Sequence, residues 1–147
     1  MQIPWILVTA LASIVSPTSK PAYTAKLSGA METPANATKG TGTASFTLSG
    51  NRLTYSVTVH GLSGPATGAH IHVGAAGVAG SPVYTLKIMS KMKSGTVARG
   101  TIDLTKQASA GVSGDSLKTL LNNGNAYVNV HTAAHPDGEL RGQVMKP

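Results

Sequence analysis

The stretch RLTYSVTVH, residues 52–60, alternates without a break: Leu53, Tyr55, Val57 and Val59 are apolar, while Thr54, Ser56 and Thr58 are polar. A period of two is the mark of a strand with one face buried. The run before it, GTASFTLSG, has the same alternation and meets it across Ser49-Gly50-Asn51, which predicts a hairpin. Similar runs predict strands at 23–27, 69–73, 83–88, 97–104, 126–131 and 139–144. Seventeen glycines and eight prolines supply turn signals between them. Short strands punctuated about every ten residues predict an all-β protein, an antiparallel Greek-key β-sandwich of about 7–9 strands.

One segment breaks the period. In SGDSLKTLLNNG, leucines at 117, 120 and 121 recur at helical spacing, a serine stands at the start and Gly124 follows the end. This predicts one short helix near 115–122, packed by its leucines across an open end of the sandwich.

The N-terminus is different again. Residues 3–15, IPWILVTALASIV, are apolar or small, a run too short for the ~20 residues of a membrane span but suited to a signal-peptide core. No Lys or Arg precedes the run, and no clean A-x-A motif precedes Tyr23. Residues 1–22 are therefore expected to be a signal peptide or short membrane anchor with a linker, and 23–147 a single domain. An exported protein follows, periplasmic or secreted, with peripheral membrane contact through residues 3–15.

Composition narrows the function classes. Absence of cysteine excludes disulfides, thiolate metal sites and a cysteine nucleophile. The formal charge is +7, but only 12% of residues are charged and 4% are aromatic. Nucleic-acid binders concentrate basic residues and stacking aromatics, so a nucleic-acid partner is not expected. The one basic cluster, Lys87, Lys91 and Lys93, implies at most weak attraction to anionic surfaces.

Candidate chemistry lies in two places. In AHIH, His70 and His72 are two apart, so on a strand they leave one face while Ile71 leaves the other. In AYVNVHTAAHPDGELRGQV, residues 126–144, Tyr127, Asn129 and His131 alternate with valines, and Glu139, Arg141 and Gln143 alternate with Leu140 and Val144. Apolar rows belong inside, so the polar rows share an outer face or a strand-end cleft. If the two strands are adjacent, His70, His72 and His131 converge as three ligands for copper or zinc, with His60 and His135 as further candidates. The alternative is a polar network of cross-strand hydrogen bonds and a Glu139–Arg141 ion pair. Asp137-Gly138 reads as a turn, with a calcium role the lesser alternative.

Catalysis has little support. No serine sits in a Gly-x-Ser-x-Gly turn, and no carboxylates are paired by their spacing. The glycine-rich GAAGVAGSP, residues 74–82, lacks a phosphate loop's ending and reads as a flexible loop over one edge.

Two long stretches, LSGAMETPANATKGTG through AHIHVGAAGVAGSPV and then LLNNGNAYVNVHTAAHPDGELRGQV, closely resemble the CHRD domain, a module of chordin and of many exported bacterial proteins. The resemblance covers about 23–145 and rests on GL with AHIH and on YVNVHT with P-x-GE-x-RGQ. Leu140 replaces the family's usual Ile, and His135 stands where Asn is common. The resemblance implies a non-catalytic binding module, an accessory protein attached to a larger extracytoplasmic or membrane-bound assembly. A looser similarity links SVTVHGLSGPATGAHIHVG to copper/zinc superoxide dismutases, which are Greek-key sandwiches. That family's zinc loop and disulfide cysteines have no counterpart here. The expected order is therefore a binding module first, a periplasmic copper- or zinc-binding protein second and a dismutase-like enzyme last.

Overall fold

The computed structural model describes residues 19–106 and 111–147. Its strands are β1 (Tyr23–Ser28), β2 (Thr41–Ser49), β3 (Arg52–His60), β4 (Gly68–Val73), β5 (Pro82–Thr85), β6 (Gly95–Asp103), β7 (Ala126–His131) and β8 (Leu140–Gln143). A 3-10 turn, Gly29–Met31, follows β1, and the helix α1 (Gly114–Asn122) lies between β6 and β7. The expected all-β fold with one short helix is present. The expected signal or anchor and most of the linker fall in 1–18, outside the described residues. No helix among the described residues is long and apolar enough to cross a membrane.

All pairings are antiparallel, in one curled sheet ordered β5-β4-β7-β8-β1-β2-β3-β6. The chain completes β1, β2 and β3, crosses to β4 and β5, returns for β6 and crosses again through α1 to β7. These crossings make two four-stranded halves that face each other. A narrow seam joins them, where Ser28 pairs with Arg141 and Thr24 bridges Met145. At the far edges Ile88 bridges Ala98, and Met89 N donates to Val97 O at 2.8 Å. The sandwich is thus rolled toward a half-barrel, as the twist of a long antiparallel sheet favours.

The alternating residues fill the interior. Phe46, Leu53, Val57 and Val59 from one half meet Ile71, Val128, Val130 and Leu140 from the other, each fully buried. Burying one such side chain contributes about 1.5–3 kcal/mol. Leu117 and Leu121 join them from α1, while Leu120 is only partly buried. Ser113 caps that helix by accepting from Ser116 N, and Gly124, at φ +69°, turns the chain out of it. The strand expected at 83–88 stops at Thr85, although Leu86 N still donates to Ala69 O at 2.9 Å in step with β4, and Ile88 then bridges Ala98 of β6.

Candidate metal centre

The register of β4, β7 and β8 builds the site. Gly68 pairs with His131, His70 with Asn129, and His72 with Tyr127. On the other side of β7, Asn129 pairs with Arg141 and Tyr127 with Gln143. Paired residues in an antiparallel sheet share a face. The outer face therefore carries His70 and His72 in one column, His131, Asn129 and Tyr127 in the next, and Arg141 and Gln143 in the third. Ile71, Val128, Val130 and Leu140 fill the opposite face.

His70, His72 and His131 converge, with one potential ligand nitrogen from each lying within 4.8 Å of the others. His70 Nδ1 is 2.9 Å from His131 Nε2. Nitrogens bound to one zinc at ~2.0–2.1 Å stand roughly 3.3 Å apart in a tetrahedral site, so small ring movements suffice. The proton positions follow from the partners. His72 Nδ1 lies 2.8 Å from Gly80 O, and His131 Nδ1 lies 2.8 Å from Pro136 O. A carbonyl only accepts, so both Nδ1 atoms donate and both Nε2 atoms keep a free lone pair. His131 Nε2 then accepts from His70 Nδ1–H, whereas His72 Nε2 is buried with no partner. Carbonyls that fix a ring's tautomer in this way are the usual support of metal-binding histidines.

Electrostatics favours the ligand form. Burial, then the neighbouring His131 and His72 rings, pushes His70 below the ordinary histidine range. Burial also lowers His72, and His131 and Arg141 act in the same direction. The Gly80 carbonyl and the Asn129 amide oppose the shift only in part. Both rings stay neutral at neutral pH, as coordination requires.

The rest of the polar face is covered, not solvated. Tyr127, Asn129, Glu139 and Arg141 are all nearly inaccessible, at 4%, 3%, 0% and 1% exposure. The glycine-rich segment 74–81 is the cover, a strap laid over the face and bonded to it. Arg141 donates to Ala75 O at 2.9 Å and Val78 O at 2.8 Å, and also to Thr33 Oγ1 at 3.0 Å. Gln143 Nε2 donates to Gly74 O at 2.6 Å. Tyr127 hydroxyl donates to Gly80 O and accepts from Gly80 N. Tyr127 is itself held between two planar groups: its ring stacks on His72 at 4.8 Å and carries the Arg141 guanidinium 3.5 Å from its centre. A Cβ at Gly80 would stand 1.6 Å from Val73 O, so only glycine lets the strap come this close.

Glu139 and Arg141 form no ion pair. The described ion pairs are Lys106–Asp103 and Lys118–Asp115, both on the surface. Glu139 instead accepts from Thr38 Oγ1, Ser63 N, Ser63 Oγ and Thr132 Oγ1 at 2.6–2.8 Å, tying three loops to the start of β8. Burial alone would raise its carboxyl, but the Ser63, Thr132 and Thr38 donors outweigh it and bring the pKa to about 2. His60 ends β3 exposed to solvent, and neither it nor His135 joins the grouped histidines. His135 lines a neighbouring cavity of about 270 Å³ with Glu32, Asn36, Pro136 and Asp137. The Gly80 and Pro136 carbonyls, the site's orienting groups, are backbone atoms that residue patterns do not reveal.

A family model described as the CHRD domain matches residues 23–144. The searches of curated proteins and of solved structures returned no match. The match spans every strand of the sheet and all three histidines, and on it the chain belongs to the CHRD domain family, a domain typical of exported proteins.

Proposed function

We propose that this domain is a non-catalytic metal-binding module of an exported protein, holding one copper or zinc ion through His70, His72 and His131. The observation that carries the reading is His72. Its Nδ1–H is committed to Gly80 O, and its Nε2 lone pair is buried beside two other imidazoles without a partner. A polar network alone leaves that atom unsatisfied, at a cost of about 1–3 kcal/mol. An ion bound there removes the cost. Neutral imidazole nitrogens suit both copper and zinc.

The test strips the purified protein with a chelator and titrates it with zinc and with copper. One equivalent per chain is expected, and the His70→Ala, His72→Ala, His131→Ala triple variant should lose it. Since that variant keeps His60 and His135, equal binding by it would assign uptake to scattered histidines and defeat the reading.

A second reading keeps the partner. Met89 is 60% exposed, and Lys87, Lys91 and Lys93, all within four residues of it along the chain, are exposed too. Such a mixed apolar and basic surface fits attachment to a protein of an extracytoplasmic or membrane-bound assembly. Co-purification from gently solubilised membranes, lost when Met89 and the three lysines are replaced by serine, is the expected result. A free monomer under those conditions contradicts it.

A further inference from the structure

Asn129 occupies the centre of the histidine group. It pairs with His70 across β4 and β7, lies two residues from His131 on the same face of β7, and is diagonal to His72. The side chain is only 3% exposed, and its Oδ1 is buried with no hydrogen-bond partner among the protein atoms. His72 Nε2 is in the same condition. The Asn129 amide is near enough to His72 to act on its titration, yet no well-formed hydrogen bond joins them: with Nδ1–H given to Gly80 O, His72 Nε2 is an acceptor, as Asn129 Oδ1 is. Buried polar atoms in folded proteins are nearly always paired, so such a juxtaposition points to a cation or a donor between them.

We infer that Asn129 is the fourth polar group of the centre, and that its carbonyl oxygen accepts a hydrogen bond from a water molecule bound to the ion. The inference rests on the three-histidine reading and extends it. Three imidazoles leave a four-coordinate ion one open position. Asn129 Oδ1 offers only lone pairs, so the small ligand it selects there is one that carries a proton. Water is that ligand in an otherwise unliganded centre. Tyr127, next along the face, is committed to Gly80, and Arg141 is committed to the strap and Thr33. Asn129 is left as the residue that sets what the open position accepts. Its role is to position a ligand, not to bind the ion.

The full chain is loaded with cobalt(II), whose visible spectrum reports coordination, and with copper(II), whose effect on solvent-proton relaxation reports bound, exchanging water. Wild type should take one equivalent of each ion and enhance relaxation. Asn129→Leu, close in size and without an acceptor, should keep the ion within about tenfold in affinity. Its cobalt spectrum should change, and the relaxation enhancement should fall at least twofold. Asn129→Ser, which retains an accepting oxygen, should lie between the two and serves if the leucine variant does not fold. Wild-type copper protein with no solvent contribution, or variants matching wild type in both signals, would overturn the assignment of Asn129 while leaving the histidine centre intact. A wild-type chain that takes up neither ion defeats the centre itself.

Discussion

His70 Nδ1 points at His131 Nε2 across 2.9 Å, so one imidazole already occupies the lone pair of another. An ion bound as proposed would replace that hydrogen bond, and His70 would move its proton from Nδ1 to Nε2 to present Nδ1. No net charge is created, and protons compete with the ion only where the rings become protonated. A lowered folded-state pKa extends the neutral form below pH 6.5, and binding is then lost as pH falls through the folded-state values of His70 and His72. Three unshifted imidazoles would give roughly a fiftyfold loss of affinity between pH 7.5 and 6. A smaller loss is expected, measured by competition with a zinc-sensitive dye. A steeper one would show that burial does not protect the rings.

Arg141 carries the strap. Its removal orphans the Val78 carbonyl, leaves the Ala75 carbonyl with Val78 N–H alone and leaves Tyr127 unsupported on one face. Arg141→Ala is expected to destabilise the domain by about 2–4 kcal/mol, as a buried, multiply bonded group should. Arg141→Lys should recover only part of this, since an ammonium cannot reach both carbonyls and Thr33 from one flat group laid on the Tyr127 ring. Denaturant unfolding gives both values. Equal stability of the lysine variant and wild type would deny the guanidinium its specific role.

These two residues mark where sequence reasoning succeeded and where it stopped. Alternation placed His70 and His72 on one face and put Tyr127, Asn129 and Arg141 opposite the valines, because a strand's period is local and rigid. Adjacency of β4 and β7 was an assumption that the register bears out. What alternation could not show is that the polar face is itself covered. The cover depends on the path of 74–81, a loop whose closeness needs Gly80 and whose anchors are carbonyls. Alternation therefore predicts an outer face or a strand-end cleft, where the structure has polar residues that are buried and bonded. The alternative of a Glu139–Arg141 ion pair fails for the same reason, since the partners Glu139 takes, Thr38, Ser63 and Thr132, come from loops distant in sequence or outside the strand pattern.

Gly142 tests the seam. A Cβ there would stand 2.1 Å from Lys26 O and 2.7 Å from Leu27 Cδ2, so β1 and β8 meet only because this residue has no side chain. Gly142→Ala is expected to cost about 1–3 kcal/mol or more through overpacking. Gly64→Ala, where an added Cβ meets nothing within 4 Å, is the control and should stay within about 0.5 kcal/mol of wild type. Equal thermal midpoints for the two variants would mean that the halves are not held in this contact.

Glu139 sets the acid limit of the fold. Its carboxylate is bonded to two loops and to Thr132 beyond the end of β7, and its folded-state pKa lies at about 2, below the ordinary 4.5. A depressed carboxyl pKa contributes stability that is fully present above about pH 4.5 and is lost as pH falls from there toward 2. His70 and His72 act in the same sense at higher pH: held neutral when folded, they favour unfolding once the unfolded chain's histidines protonate below 6.5. Stability should therefore decline in two steps on acidification. Glu139→Gln removes the charge but keeps the shape, leaving one amide hydrogen-bond donor facing hydroxyl and amide donors. It is expected to lower stability by about 2–3 kcal/mol at pH 7 and to flatten the step between pH 4.5 and 2, leaving the histidine step in place. Urea unfolding at pH 7, 5 and 3 measures both. If the glutamine variant kept the full acid step, the pH dependence would have to come from another carboxyl held low, such as Asp103 beside Thr105, and Glu139 would be only a spacer between loops.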